Sequence, residues 1–172
     1  NYNNKKIYKN NENLKIKKKT NSKVFKKFDI VEVDLIDNNF LVNKNKLGKT
    51  IFDENFFLYF ETIDFTKNLQ KKGKKLFVAK KIKFHHYGSS SLPKSFSNLV
   101  GKTRAFHYNW SKFYYFKKNF SYIYALKKTV PSIVKITKNL SINLVKLDLV
   151  NLKINILELS GIFSAIFCFR PY

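Results

Sequence analysis

The chain has no methionine, one cysteine and few arginines, and each shortage narrows what it can be. Cys168 stands alone, which excludes an intramolecular disulfide framework and a zinc site built from cysteines. A reducing, cytoplasmic setting is therefore expected. A sequence of 172 residues that starts at Asn1 and contains no Met points to a piece of a longer protein, so an N-terminal leader or anchor cannot be judged from it. Of the 34 basic residues only Arg104 and Arg170 are arginine, and 11 acidic residues leave a formal charge of +23. Proteins that read nucleic-acid bases rely on the planar, bidentate Arg fork. The excess of Lys, Asn, Ile, Phe and Tyr instead has the character of an AT-rich coding sequence. Such a charge favours anionic neighbours without naming one. No run approaches the ~18 uncharged apolar residues that a membrane-spanning helix needs.

What is present falls into three parts. Residues 1–28 are rich in Lys and Asn and carry too little apolar surface to build a core, so they read as a solvated lead-in. Residues 29–103 read as an α/β part. Ile30 to Ile36 and Phe40-Leu41-Val42 have strand character, with Asp37-Asn38-Asn39 as turn chemistry between them. A helix is expected after Phe60, with Glu61 and Asp64 at its positive end and Lys71, Lys72 and Gly73 closing it. Leu76-Phe77-Val78-Ala79 follows as a buried strand, and Ile82 to Phe84 leads to His85 and His86 in a loop of small residues. The order strand, strand, helix, strand suits a mixed sheet.

Residues 104–172 are aromatic and basic and read as a mainly helical extension, preceded by a loop over 92–103. One helix is expected from Arg104 to about Lys128, ended by Pro131. Over 132–157 the apolar spacing fits a helix and, in places, a strand; length favours the helix. A basic amphipathic helix lying on a membrane surface and an internal core helix are equally consistent with this pattern. The last residues, 159–172, are apolar and expected to dock.

The stretch Phe52-Asp-Glu-Asn-Phe-Phe-Leu-Tyr-Phe-Glu-Thr-Ile-Asp64 resembles the glycosyltransferase family 2 catalytic domain of the GT-A type, in its rhamnosyltransferase-like branch. The likeness extends to His86-Tyr87-Gly88-Ser89-Ser90, to the run from Arg104 through His107, Trp110, Ser111 and Lys112 to Tyr114, and to Arg170-Pro171. It covers roughly residues 29–172 and implies the acceptor-side half of a Rossmann-like GT-A domain. It further implies transfer of a sugar, with inversion, from a nucleotide-diphosphate donor to a glycan or lipid-linked acceptor in cell-envelope polysaccharide synthesis. The implied catalytic segment is Glu61, Thr62 and Asp64, where a carboxylate takes the acceptor's proton. His86 is implied as a ligand of a divalent metal, Mg or Mn, shared with a D-x-D motif that this sequence lacks. Tyr59, Arg104, His107 and Trp110 are implied on the substrate side. Two departures count: the nucleotide-binding half is not here, and the family's second acid is Thr62, whose hydroxyl has no useful basicity near neutral pH.

Each of these residues also has a plainer role. Glu61 and Asp64 are what a helix N-terminus prefers, Arg104 and His107 suit the surface of an aromatic helix, and Trp110 either stacks on a sugar or fills the core. Two other functions fit the composition: a remnant that folds without transferring, and a basic, aromatic module that binds anions or single-stranded nucleic acid. The Lys-over-Arg bias speaks against specific nucleic-acid recognition. Peripheral contact with the inner face of the plasma membrane, through the basic C-terminal region, is the remaining expected partnership.

Overall fold

A computed structural model of the chain describes residues 23–34, 36, 40–48, 52–83 and 97–171. The protein is mostly helical, with a single two-stranded sheet among the described residues. In chain order the elements are α1 (Lys23–Phe28), β1 (Ile30–Val33), α2 (Lys44–Leu47), α3 (Glu61–Lys71), β2 (Leu76–Ala79), α4 (Ser97–Asn119), α5 (Tyr122–Val145) and α6 (Leu149–Ile166). They divide into two compact units, one formed by residues 1–52 and 62–86, the other by 53–61 and 87–172.

In the first unit, β1 and β2 pair antiparallel with Val31 opposite Val78 and Val33 opposite Leu76. Alternation along β1 sends Val31 and Val33 inward, where they meet Leu76, Phe65 and Leu69 in one core. Phe65 is nearly inaccessible because Phe52 stacks on it at 4.4 Å and Phe40 at 5.7 Å between centroids. Thr66, also buried, donates its hydroxyl to the Ile63 carbonyl at 3.1 Å. Helix α3 ends as its sequence predicts. Gly73 takes φ +71, its N–H reaches the Gln70 carbonyl at 2.8 Å, and Lys74 N–H reaches Leu69 at 3.0 Å. This is the Schellman arrangement, which satisfies the last carbonyls of the helix.

The expected strand over Phe40-Leu41-Val42 does not form. Leu41 is 99% exposed, Phe40 alone joins the core, and Asn43 already caps α2 by accepting the Asn45 N–H at 3.1 Å. Apolar residues in a row make a strand only where a ladder partner exists, and β1 finds its partner in β2.

The second unit is built on α4, α5 and α6. Trp110 and Phe113 of α4 pack against Ala125 of α5 and Ala165 of α6, small residues that let three helices approach one another. Helix α6 comes against the backbone of α4: a Cβ on Gly161 would overlap the Phe106 carbonyl oxygen and lie 3.0 Å from its carbon. Between α5 and α6 the Asn143 amide donates to Asn155 at 2.8 Å, and Asn155, itself buried, donates to Glu158 at 3.0 Å. The ambiguous region 132–157 is thus helical on both sides of one turn.

Two expected boundaries move. Helix α4 starts at Ser97, inside the expected loop, and stops at Asn119, well before Lys128. The break falls at Ser121, whose extended backbone (φ −164, ψ 165) and side chain, accepting the Tyr124 N–H, cap a new helix. Pro131 lies inside α5. It removes only the N–H that would reach the Lys127 carbonyl, and Lys127, Val130 and Pro131 are all on the exposed side where water can replace it. Helix α6 is long and apolar enough, by length and composition, to cross a membrane, with a mean hydropathy of 1.4.

Candidate functional site

Within the second unit the segment Asp53–Glu61 lies along one face of α4. Its contacts fall on His107, Tyr108, Ser111, Tyr114, Tyr115 and Lys118, which recur at the three-to-four-residue spacing of a single helical face. Asp53 anchors one end. Its carboxylate accepts from Lys118 Nζ at 2.6 Å, from the Tyr114 hydroxyl at 3.0 Å, and from the backbone and side-chain nitrogens of Asn55 at 3.0 and 2.7 Å. Burial alone would raise its pKa, but these four donors outweigh burial and hold it at about 2. Phe56 is buried with its ring against Tyr114 at 4.9 Å, and Lys118 lies over the Phe56 ring. Midway, the fully buried Ser111 hydroxyl donates to the Leu58 carbonyl at 2.8 Å.

The other end is conformationally costly. Tyr59 and Phe60 both occupy the left-handed region, at φ +67 and +66. Two successive side chains of this bulk in that region cost about 1–2 kcal/mol each. The geometry obtained is specific: both rings meet Tyr108, at 5.5 and 5.7 Å, whereas an extended backbone would send them to opposite sides. Phe60 also meets Tyr115 at 5.5 Å.

This turn brings four of the expected site residues together. The Tyr59 phenol is pushed up by burial, pulled back by the Arg104 guanidinium and raised again by the Glu61 carboxylate, so both charges lie within electrostatic reach of its hydroxyl. Tyr108, the neighbour of Tyr59, is pushed up by burial and by Tyr59 itself. One helical turn from Arg104, His107 has its ring 4.5 Å from Phe57 and 5.2 Å from Phe106. It is buried, burial lowers its pKa, and its Nδ1 has no hydrogen-bond partner among the described residues. A carboxylate, a guanidinium, a phenol and an imidazole favouring its neutral form therefore share one end of the α4 face.

The remaining expected residues are placed elsewhere or differently. Trp110 sits in the helical core, 5% exposed, stacked on Tyr114 and donating its indole N–H to the Phe169 carbonyl at 2.9 Å. Of its two expected roles, packing is the one it performs here. Asp64 belongs to the first unit, where it is 1% exposed and accepts from the Asn68 amide at 3.0 Å. Thr62 is half-buried in the first turn of α3. His85 and His86 lie outside the described residues. Among the described residues no group of three His, Cys, Asp or Glu is placed to hold a metal ion. Tyr108 is not among the expected site residues, and Ser111 enters there only as part of the motif likeness. Their signal was their spacing from Arg104, which repeats along a helix face.

No family model, no curated protein and no solved structure matches the chain.

Proposed function

We propose that the chain carries the acceptor side of a sugar transferase resembling glycosyltransferase family 2 of the GT-A type, with Glu61 as its base. The observation that carries this reading is the seating of the Asp53–Glu61 segment on the α4 face that bears Arg104 and His107, with Phe57 4.5 Å from His107 and Tyr59 5.5 Å from Tyr108. It joins two separate stretches of the motif likeness, one containing Glu61 and the other beginning at Arg104. Thr62 has no basic atom, and Asp64 is buried against Asn68. Glu61 is then the carboxylate left to take a proton from an acceptor hydroxyl.

In this reading the acceptor oxygen attacks the anomeric carbon as the bond to the diphosphate oxygen breaks, and the electron pair leaves with the nucleoside diphosphate. The acceptor's proton ends on Glu61. Arg104, exposed and always charged, offsets the negative charge gathering on the leaving oxygens. Tyr59, kept protonated by its surroundings, offers a hydroxyl hydrogen to an oxygen of sugar or phosphate. The donor's nucleotide would be held by a D-x-D-bearing half supplied alongside this sequence.

The test is release of nucleoside diphosphate from a panel of sugar nucleotides, with such a half present. Glu61→Gln should lower turnover by at least about 100-fold, and Thr62→Asp, restoring the family's second acid, should raise it. A folded protein that releases nothing from any donor would favour the non-catalytic remnant. Salt-sensitive binding of random oligonucleotides, unaffected by Glu61→Gln, would favour an anion-binding module.

A further inference from the structure

Helix α5 has two faces that differ sharply in partnership. Ala125, Thr129 and Ile136 are buried on the inner one. On the outer one, Ile123, Val130, Val134 and Val145 are 66, 53, 63 and 85% exposed. At 100° per residue these four fall within one narrow stripe of the helix surface. Lys127, Lys135 and Lys138, all exposed, run along one flank of that stripe. Beyond the end of α5, Leu147 in the turn and Leu149 and Val150 at the start of α6 are 78, 63 and 62% exposed.

Charge identifies the occupant. No acidic residue occurs between Asp64 and Asp148, so α4, α5 and their connection carry only positive formal charge. An apolar stripe with lysines on its flank, on a helix lying tangent to a folded unit, matches the boundary between headgroups and acyl chains. Lysine suits this place because its aliphatic stem can follow the apolar surface while its ammonium stays with the headgroups.

We propose that the outer face of α5 and the α5–α6 turn dock on an anionic lipid membrane, lying in its surface and leaving α6 packed against α4. A second copy of the chain is a poor occupant, since it would set one lysine flank against another. A nucleic acid would use the lysines but leave the apolar stripe exposed to water. A crossing by α6 would carry Lys153, Glu158 and the bonded Asn155 into hydrocarbon and pull Gly161 from Phe106. The inference is independent of the transferase reading, because no residue around Tyr59 takes part in it.

The experiment is flotation of the whole chain with vesicles of phosphatidylcholine containing phosphatidylglycerol, against phosphatidylcholine alone. Binding should require the anionic lipid and weaken as salt shortens the Debye length to ~3 Å near 1 M. Val130→Glu with Val134→Glu, both at exposed positions, should weaken binding by about tenfold or more at low salt, and Lys127→Gln with Lys135→Gln and Lys138→Gln by a similar factor. Helical circular dichroism unchanged in both variants would show that they still fold. An alkaline carbonate wash should release the bound protein. Several outcomes overturn the proposal: no vesicle binding at low salt, lysine dependence without dependence on Val130 and Val134, retention after the alkaline wash, or a shift to a dimer that the valine changes abolish.

Discussion

Gly161 of α6 lies against the backbone of Phe106 in α4, so closely that its missing side chain is what allows the two helices to touch. The obstruction is main chain, which cannot swing aside as a flexible side chain does. Gly161→Ala should therefore cost about 3 kcal/mol, at the upper end of overpacking, and lower the melting temperature by roughly 6–12 °C. Gly101 in the same unit has nothing within 4 Å of a built Cβ. Gly101→Ala in helix α4 should instead be neutral or stabilising by up to about 1 kcal/mol. Thermal denaturation of the pair checks both, and equal melting temperatures would sink the close-approach explanation.

Leu147 offers the opposite case. It ends α5 in the left-handed region at φ +55, its N–H on the Leu144 carbonyl and the next N–H, of Asp148, on Asn143. This is the same helix ending that Gly73 gives α3, made with a branched residue. Leu147→Gly should stabilise the protein by about 0.5–1 kcal/mol, the relief of left-handed strain less the extra chain entropy of glycine. Chemical denaturation is the readout, with a higher midpoint and an unchanged slope as the expected result.

Asp53 sets a pH dependence with a definite sign. Its pKa is about 2 in the folded protein against an ordinary 3.8. Between those values the unfolded chain binds more protons, so stability rises with pH across the window. The contribution is fully present above about pH 4 and lost as pH falls toward 2. Because the carboxylate is partly open to solvent, it amounts to about 1 kcal/mol rather than the full linkage value. Asp53→Asn should flatten that part of the stability–pH curve; an unchanged slope from pH 4 to 2 would contradict the anchor role.

His107 acts at a higher pH. Burial lowers its pKa from 6.5, so the unfolded chain again takes up the proton more readily. Stability should fall as pH drops through about 6.5 toward the folded value, where the penalty is complete. His107→Phe keeps the ring contact with Phe57 and removes the titration. The difference between variant and parent, measured from pH 7 to 5, should show the parent alone losing stability. His85 and His86 are common to both proteins and cancel.

Legibility followed how local each signal was. Gly73 announced its helix end because glycine is the residue that a left-handed position asks for, and α3 and β2 follow the apolar spacing closely. Leu147 and Cys168 make the same kind of ending, but nothing about leucine or cysteine advertises it. Pro131 suggests a stop because a missing N–H is costly in a helix interior; here the freed carbonyl lies on a solvated side and Ser121 decides the boundary. Phe40 to Val42 had strand composition, but among the described residues no strand pairs with them, and pairing is not a local property. At the candidate site, Tyr59, Glu61, Arg104 and His107 were legible individually from the motif likeness. That they meet was not, since it depends on two consecutive left-handed aromatics that no propensity scale favours. Tyr108 became visible only once the facing segment was known, and Ser111, already within the motif likeness, found its partner Leu58 only then.

The Asp53–Glu61 strap also governs where this polypeptide can be cut. It completes the helical unit although the chain returns to the other unit immediately after it. A recombinant fragment starting at Ser97 would keep three helices but uncover Phe113's neighbours Tyr114 and Tyr115, strand the Ser111 hydroxyl without the Leu58 carbonyl and leave Lys118 without Asp53. Expression boundaries drawn at the start of α4 should therefore give a sticky, poorly soluble product. Supplying residues 53–61 as a separate peptide should restore its solubility, which makes the strap a reagent as well as a piece of the fold.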